Sequence, residues 1–76
     1  MVSTITELDT CGLSCPLPLL KAKQALNGMM SGEQLRIKST DQGSRRDFSV
    51  FVEQSGNVLL DSREENGVYI YLLQKK

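Results

Sequence analysis

The chain has 76 residues, 39% of them hydrophobic, and its nine basic side chains balance nine acidic ones. That is enough for one small domain, residues 1–76, whose core buries about 60% of the surface of the unfolded chain and leaves no room for a deeply enclosed active site. Zero net charge without a run of like charges argues against direct nucleic-acid binding, and the complete lack of histidine rules out Ser-His-Asp and Cys-His catalysis and His-containing zinc sites within one chain.

The first residues show none of the basic, apolar and small-residue order of a secretory signal, and no stretch reaches the ~20 apolar residues of a membrane span. A cytoplasmic location away from membranes is expected. Two cysteines, Cys11 and Cys15, are too few for a disulfide lattice, and a reducing compartment keeps them as thiols. Glycine loops for nucleotide phosphates, calcium loops and repeats are absent as well, so neither metal nor cofactor is expected.

In chain order, Thr4 to Asp9 places Ile5 and Leu8 among polar residues and reads as a strand that ends at Asp9, Thr10 and Gly12. Next comes Cys15-Pro16-Leu17-Pro18. Proline fixes φ near the helical value and lacks an N–H, so it suits a first helical turn. Pro16 is therefore expected to be the first helical residue and Cys15 the helix cap. Leu19, Ala22, Leu26 and Met29 recur at steps of three and four, with Lys21, Lys23, Gln24 and Asn27 between them, which predicts an amphipathic helix. Gly28 and Gly32 end it, with Met29 and Met30 expected to pack beneath the exit.

Gln34 to Ser39 alternates Leu35 and Ile37 with Arg36 and Lys38, the pattern of a strand with one wet face. Thr40-Asp41-Gln42-Gly43 reads as a turn. Ser44, three residues before Asp47, then predicts a capping box at the start of a second helix, with Phe48, Phe51 and Val52 as its apolar face and Gly56 at its end. Val58 to Ser62 and Val68 to Leu73 read as strands, and Asn66-Gly67 supplies the positive φ angles of a hairpin turn. The order β-α-β-α-β-β predicts an α/β (α+β) two-layer sandwich in which two helices cover one face of a four-stranded mixed sheet. Its first two strands are parallel and its last two antiparallel. On the last strand Tyr69, Tyr71 and Leu73 share one face, Val68, Ile70 and Leu72 the other, and one set packs on the helices.

A cysteine aimed at a helix N-terminus is a candidate nucleophile, because the positive end of the helix favours the thiolate. Pro18 removes one of the N–H groups a cap would use, so only the Leu17 amide is expected to face the sulfur, together with long-range attraction from Lys21 or Lys23. A moderately lowered pKa is the expectation, which suits sulfur exchange, where the best attacking thiol titrates near ambient pH. The alternative for Cys15 is a small buried hydrophobe, which the paired prolines disfavour. Cys11 is first a packing thiol and only second a functional partner, since a disulfide requires Cα atoms within about 7 Å.

The stretch Leu8-Asp9-Thr10-Cys11-Gly12-Leu13-Ser14-Cys15-Pro16-Leu17-Pro18-Leu19-Leu20 resembles the signature of the TusA/SirA-like (YedF-like) sulfur carriers, an aspartate followed by Gly-Leu and Cys-Pro-x-Pro. The resemblance spans nearly the whole chain. It implies the two-layer sandwich already read from the element order. It also implies that Cys15 accepts sulfane sulfur as a persulfide from a donor protein, such as a cysteine desulfurase or a rhodanese, and hands it to an acceptor protein. Outlets would be tRNA thiolation, sulfur oxidation or cofactor biosynthesis. Gly12, Pro16, Leu17 and Pro18 are the supporting residues it carries over. The chain departs from the pattern at Gln42, where a proline is common, and at Cys11, where a basic or small residue is usual.

Two readings from different classes stay open. The leading one is a sulfur carrier or sulfurtransferase working through Cys15. Its rival is a non-catalytic binding or regulatory module of the same fold, redox-gated by Cys11 and Cys15. Lys21, Lys23, Arg45 and Arg46, with Asp41 beside them, are solvated surface or a patch that docks an acidic partner protein; Asp41 is first a turn residue and only second a contributor to the surroundings of the thiol. A monomer is expected, with the outer face of the last strand available for a weak dimer contact.

Overall fold

All six expected elements form, in the expected order: β1 (Ile5–Asp9), α1 (Leu17–Asn27), β2 (Gln34–Ser39), α2 (Ser44–Ser55), β3 (Val58–Glu65) and β4 (Val68–Gln74). The structure, a computed structural model, describes residues 5–76. Thr4, expected to open the first strand, lies outside the described residues.

The strands lie side by side in the order β1-β2-β4-β3. β1 runs parallel to β2, while β4 is antiparallel to both β2 and β3. Because β1 and β2 are parallel neighbours, their C-terminal ends share one rim, and the loops that follow them meet there.

Alternation decides which face is covered. Leu35 and Ile37 of β2 stand opposite Leu73 and Tyr71 of β4, and these four side chains are buried with Tyr69, Ala22 and Leu26 of α1, and Phe48 of α2. Tyr69, Tyr71 and Leu73 are thus the helix-facing set. Each large apolar side chain buried in this way is worth about 1.5–3 kcal/mol. The other face carries no helix; Val68, Ile70 and Leu72 are half-buried there among charged neighbours, with Arg36 reaching across to Glu7 at 2.7 Å. Lys75 Nζ donates to the Leu26 carbonyl at 2.6 Å, placing a cation at the negative end of α1.

The structure corrects several boundaries. Helix α1 begins at Leu17, with Pro16 at the cap position (φ −100°, ψ 17°) and Pro18 inside the first turn. The cause is a turn ahead of the helix, in which the Leu17 N–H bonds the Ser14 carbonyl at 2.9 Å and delays the helix by one residue. Met29 packs on the core, but Met30 is 75% exposed, because α1 has already ended and the chain turns outward toward Gly32. No capping box opens α2: Gly43 takes the cap position without a side-chain cap bond. Ser44 is drawn inward instead, its hydroxyl donating to the Asp41 carbonyl at 2.7 Å and pairing with Tyr71 Oη at 2.6 Å. β3 extends past Ser62 to Glu65, carried by pairing with β4 although its side chains are mostly exposed.

Candidate active site around Cys15

The loop after β1 is fastened to the end of β2. Thr10 is buried and gives both its amide and its hydroxyl to the Lys38 carbonyl. Gly12 adopts a φ of +86°, which a β-carbon would disfavour, and so turns its N–H onto Thr40 Oγ1 at 2.9 Å. Cys15 follows in the turn before α1 and is exposed.

Its sulfur does not cap the helix. The Leu17 amide is taken by Ser14, and Cys15 Sγ instead donates to Asp47 Oδ2 at 2.9 Å, across 32 residues of sequence. This bond reverses the expected acidity. The Asp47 carboxylate accepting the thiol hydrogen pushes the Cys15 pKa up, and partial desolvation and the negative charges of Asp47 and Asp41 add to it. A moderately lowered pKa is therefore corrected to a raised one: the sulfur faces carboxylates rather than free amides.

Asp41 completes the arrangement. Its amide bonds Ser39 Oγ at 3.1 Å, its carbonyl receives Ser44 Oγ, and Tyr71 supports Ser44 from the core, with its ring 4.8 Å from that of Phe48. Its Oδ2 is shielded from solvent and has no hydrogen-bond partner. One sulfur or oxygen atom from each of Cys15, Asp41 and Asp47 lies within 4.8 Å of the others. Three such atoms, two of them already joined by the thiol–carboxylate bond, fall short of the four ligands of a closed structural zinc site. The group is better suited to managing a proton on sulfur.

The remaining expected site residues divide in two. Lys23 and Arg46 line an open groove of about 300 Å³ between the helices, together with Asp47, Leu19 and Phe51, and Lys23 Nζ sits 5.6 Å from the centre of the Phe51 ring. Lys21 and Arg45 are exposed outside that groove. Cys11 is separate from Cys15: it lines a shallow depression on the open face of the sheet with Asp9, Lys38 and Ile70, and both thiols are free. Asp9 accepts the Cys11 amide at 2.9 Å and pushes the Cys11 thiol pKa up through a side-chain hydrogen bond. Pro18 is buried, whereas Leu17 and Leu20 are 42% and 46% exposed beside the cysteine turn. The sequence offers Asp47 as a capping residue and not as a partner of the thiol. Nothing local to Asp47 distinguishes it, because its partner stands on the loop before α1, 32 residues earlier.

Residues 6–75 match the family described as Sulfurtransferase TusA. The chain is 51% identical over 69 residues to the sulfur carrier protein TusA of Allochromatium vinosum, covering 91% of both chains. It is 48% identical to a putative sulfur carrier protein of Neisseria meningitidis over 91% of this chain and 93% of that one. Among solved structures, the SirA-like protein of Desulfitobacterium hafniense superposes with a TM-score of 0.79 at 25% identity, over 93% of this chain and 96% of that one. Of the helices described, none is long and apolar enough to cross a membrane.

Proposed function

The chain belongs to the TusA sulfurtransferase family, and from that premise we propose that it relays sulfur as a persulfide on Cys15, taken from a donor protein and passed to an acceptor. The observation that carries this reading is the exposed thiol of Cys15 on a turn pinned by Thr10 and Gly12, with Asp47 as its only hydrogen-bond partner among the described residues. An exposed nucleophile at the rim of a small domain suits transfer between proteins, because the partner's active site must reach the sulfur and little of this chain stands in the way.

A cysteine desulfurase or a rhodanese-like protein fits the donor role. The surface around the thiol offers apolar contact through Leu17 and Leu20 and positive charge through Lys23 and Arg46, a combination that favours an acidic, partly apolar partner face. Such transfer belongs in the cytoplasm, where thiols stay reduced.

Replacement of Cys15 by serine tests the assignment. After incubation with a desulfurase and cysteine, the intact mass of the wild-type protein should gain one sulfur that reductant removes, and C15S should gain none. Serine keeps a hydroxyl for Asp47, so the stability of C15S should stay within about 1 kcal/mol of wild type. Sulfur uptake by C15S at the wild-type rate would move the site to Cys11.

A further inference from the structure

Persulfide carriage changes which atom holds the hydrogen. In the resting protein Sγ bears it and donates it to Asp47. Once a sulfane sulfur is attached, Sγ has no hydrogen, and the S–H stands on the terminal sulfur, farther out by an S–S bond of about 2.05 Å. The surroundings of Cys15 hold more acceptors than the bare thiol uses. Asp47 takes its single hydrogen, yet Asp41 Oδ2 stands shielded and unpartnered, with an oxygen of the Asp41 carboxylate in the same cluster of atoms within 4.8 Å. Gly43 keeps the space between them clear: a β-carbon there would lie 3.1 Å from Asp41 Oδ2 and 3.9 Å from Cys15 Cβ. Its φ of −68° is open to any residue, so space rather than backbone freedom calls for glycine.

We propose that Asp41 and Asp47 form a receptor for the carried sulfur, in which Asp47 shelters the resting thiol and Asp41 accepts the terminal S–H of the Cys15 persulfide, holding it in the neutral form that thiols attack. The inference rests on the reading of Cys15 as the persulfide site. In loading, Cys15 Sγ bonds to the terminal sulfur of a donor persulfide, the donor S–S bond breaks, and the proton lost from Sγ ends on the departing donor thiolate. In unloading, an acceptor thiol gives up its proton and bonds as the thiolate to the terminal sulfur, the Sγ–S bond breaks, and the departing Sγ thiolate takes up that proton and restores its bond to Asp47. Neither exchange involves net oxidation.

The benefit lies in charge. A persulfide anion repels an incoming thiolate, and two carboxylates beside the sulfur disfavour that anion. Each unit by which they raise the persulfide pKa increases the neutral fraction about tenfold at a pH above it. The cations that share the groove with Asp47 are Arg46 in the first turn of α2 and Lys23 of α1. Among the described residues neither is ion-paired to Asp41 or Asp47, so no salt bridge competes with the sulfur for these oxygens.

The test uses the whole protein, loaded with inorganic polysulfide and checked by intact mass, as wild type, D41N, D47N and G43A. Alkylation by iodoacetamide against pH reads the titration of the thiol and of the persulfide, and transfer to free cysteine at pH 7 reads discharge. In D41N the persulfide should titrate at lower pH with a smaller effect on the thiol, and discharge should slow about tenfold for each pH unit of displacement. D47N should move both titrations. G43A, which keeps both carboxylates and displaces Asp41 Oδ2, should shift the persulfide in the same direction as D41N. The inference is overturned if D41N and G43A load sulfur on Cys15 and then titrate and discharge as wild type does. If wild type takes no sulfur on Cys15, the function proposed above falls first, and this inference with it.

Discussion

At the scale of single residues, the two cysteines show that exposure and reactivity are separate properties. Both thiols are exposed, yet each has an aspartate beside it: Asp47 accepts the Cys15 hydrogen, and Asp9, which accepts the Cys11 amide, also pushes the Cys11 thiol pKa up. A carboxylate acceptor stabilises the protonated form, so the thiolate appears at higher pH than in an ordinary thiol, and reagents that need the thiolate react slowly at neutral pH. Alkylation of the unloaded protein, followed by peptide mapping across pH, should place both midpoints above that of a denatured control. D9N should bring the Cys11 midpoint down and leave Cys15 unchanged, because Asp47 and Asp41, not Asp9, act on the Cys15 thiol; a matching shift at Cys15 would contradict that separation.

At the scale of elements, the site is the work of two loops bolted to one rim, and the bolt on the second is the Tyr71–Ser44–Asp41 chain. S44A would leave the Tyr71 hydroxyl buried without a partner, a loss of about 1–3 kcal/mol, whereas Y71F leaves Ser44 still bonded to the Asp41 carbonyl and should cost only about 1 kcal/mol. Urea unfolding of the two variants checks the order, and equal losses would mean that the hydroxyl pair contributes nothing of its own. The same chain shows what the sequence can and cannot reveal. Alternation in Gln34–Ser39, the three- and four-residue steps after Pro16 and the Asn66-Gly67 turn were legible because they are local, and the fold followed from them. Ser44 and Asp47 fit a capping box by spacing alone, but a buried hydroxyl and an exposed thiol elsewhere in the fold outbid the backbone amides. Long-range competition of this kind leaves no local pattern. The cap expected at Cys15 failed similarly, since the Ser14–Leu17 turn claimed the amide first.

At the scale of the whole molecule, a chain of zero net charge can steer a partner only through local asymmetry, and the groove holding Lys23 and Arg46 supplies it. The double variant K23E/R46E should slow sulfur uptake from a protein donor mainly at low salt, the difference shrinking as the Debye length falls from about 30 Å at 0.01 M to about 8 Å at 0.15 M. Uptake rates equal to wild type at both salt concentrations would leave these two residues as ordinary surface. The position of β1 has a consequence of another kind. Among the described residues this five-residue strand is one edge of the sheet, bonded to β2 alone, and the cysteine turn hangs from its end. Short edge segments open on their own long before a domain unfolds globally, and each opening of β1 would slacken the tether that holds Cys15 against Asp47. The shelter of the thiol therefore lasts only as long as the strand stays closed. Amide exchange along Ile5–Asp9 and the slow labelling of Cys15 should keep the same clock, so that the sulfur reports the breathing of a sheet edge it does not itself belong to.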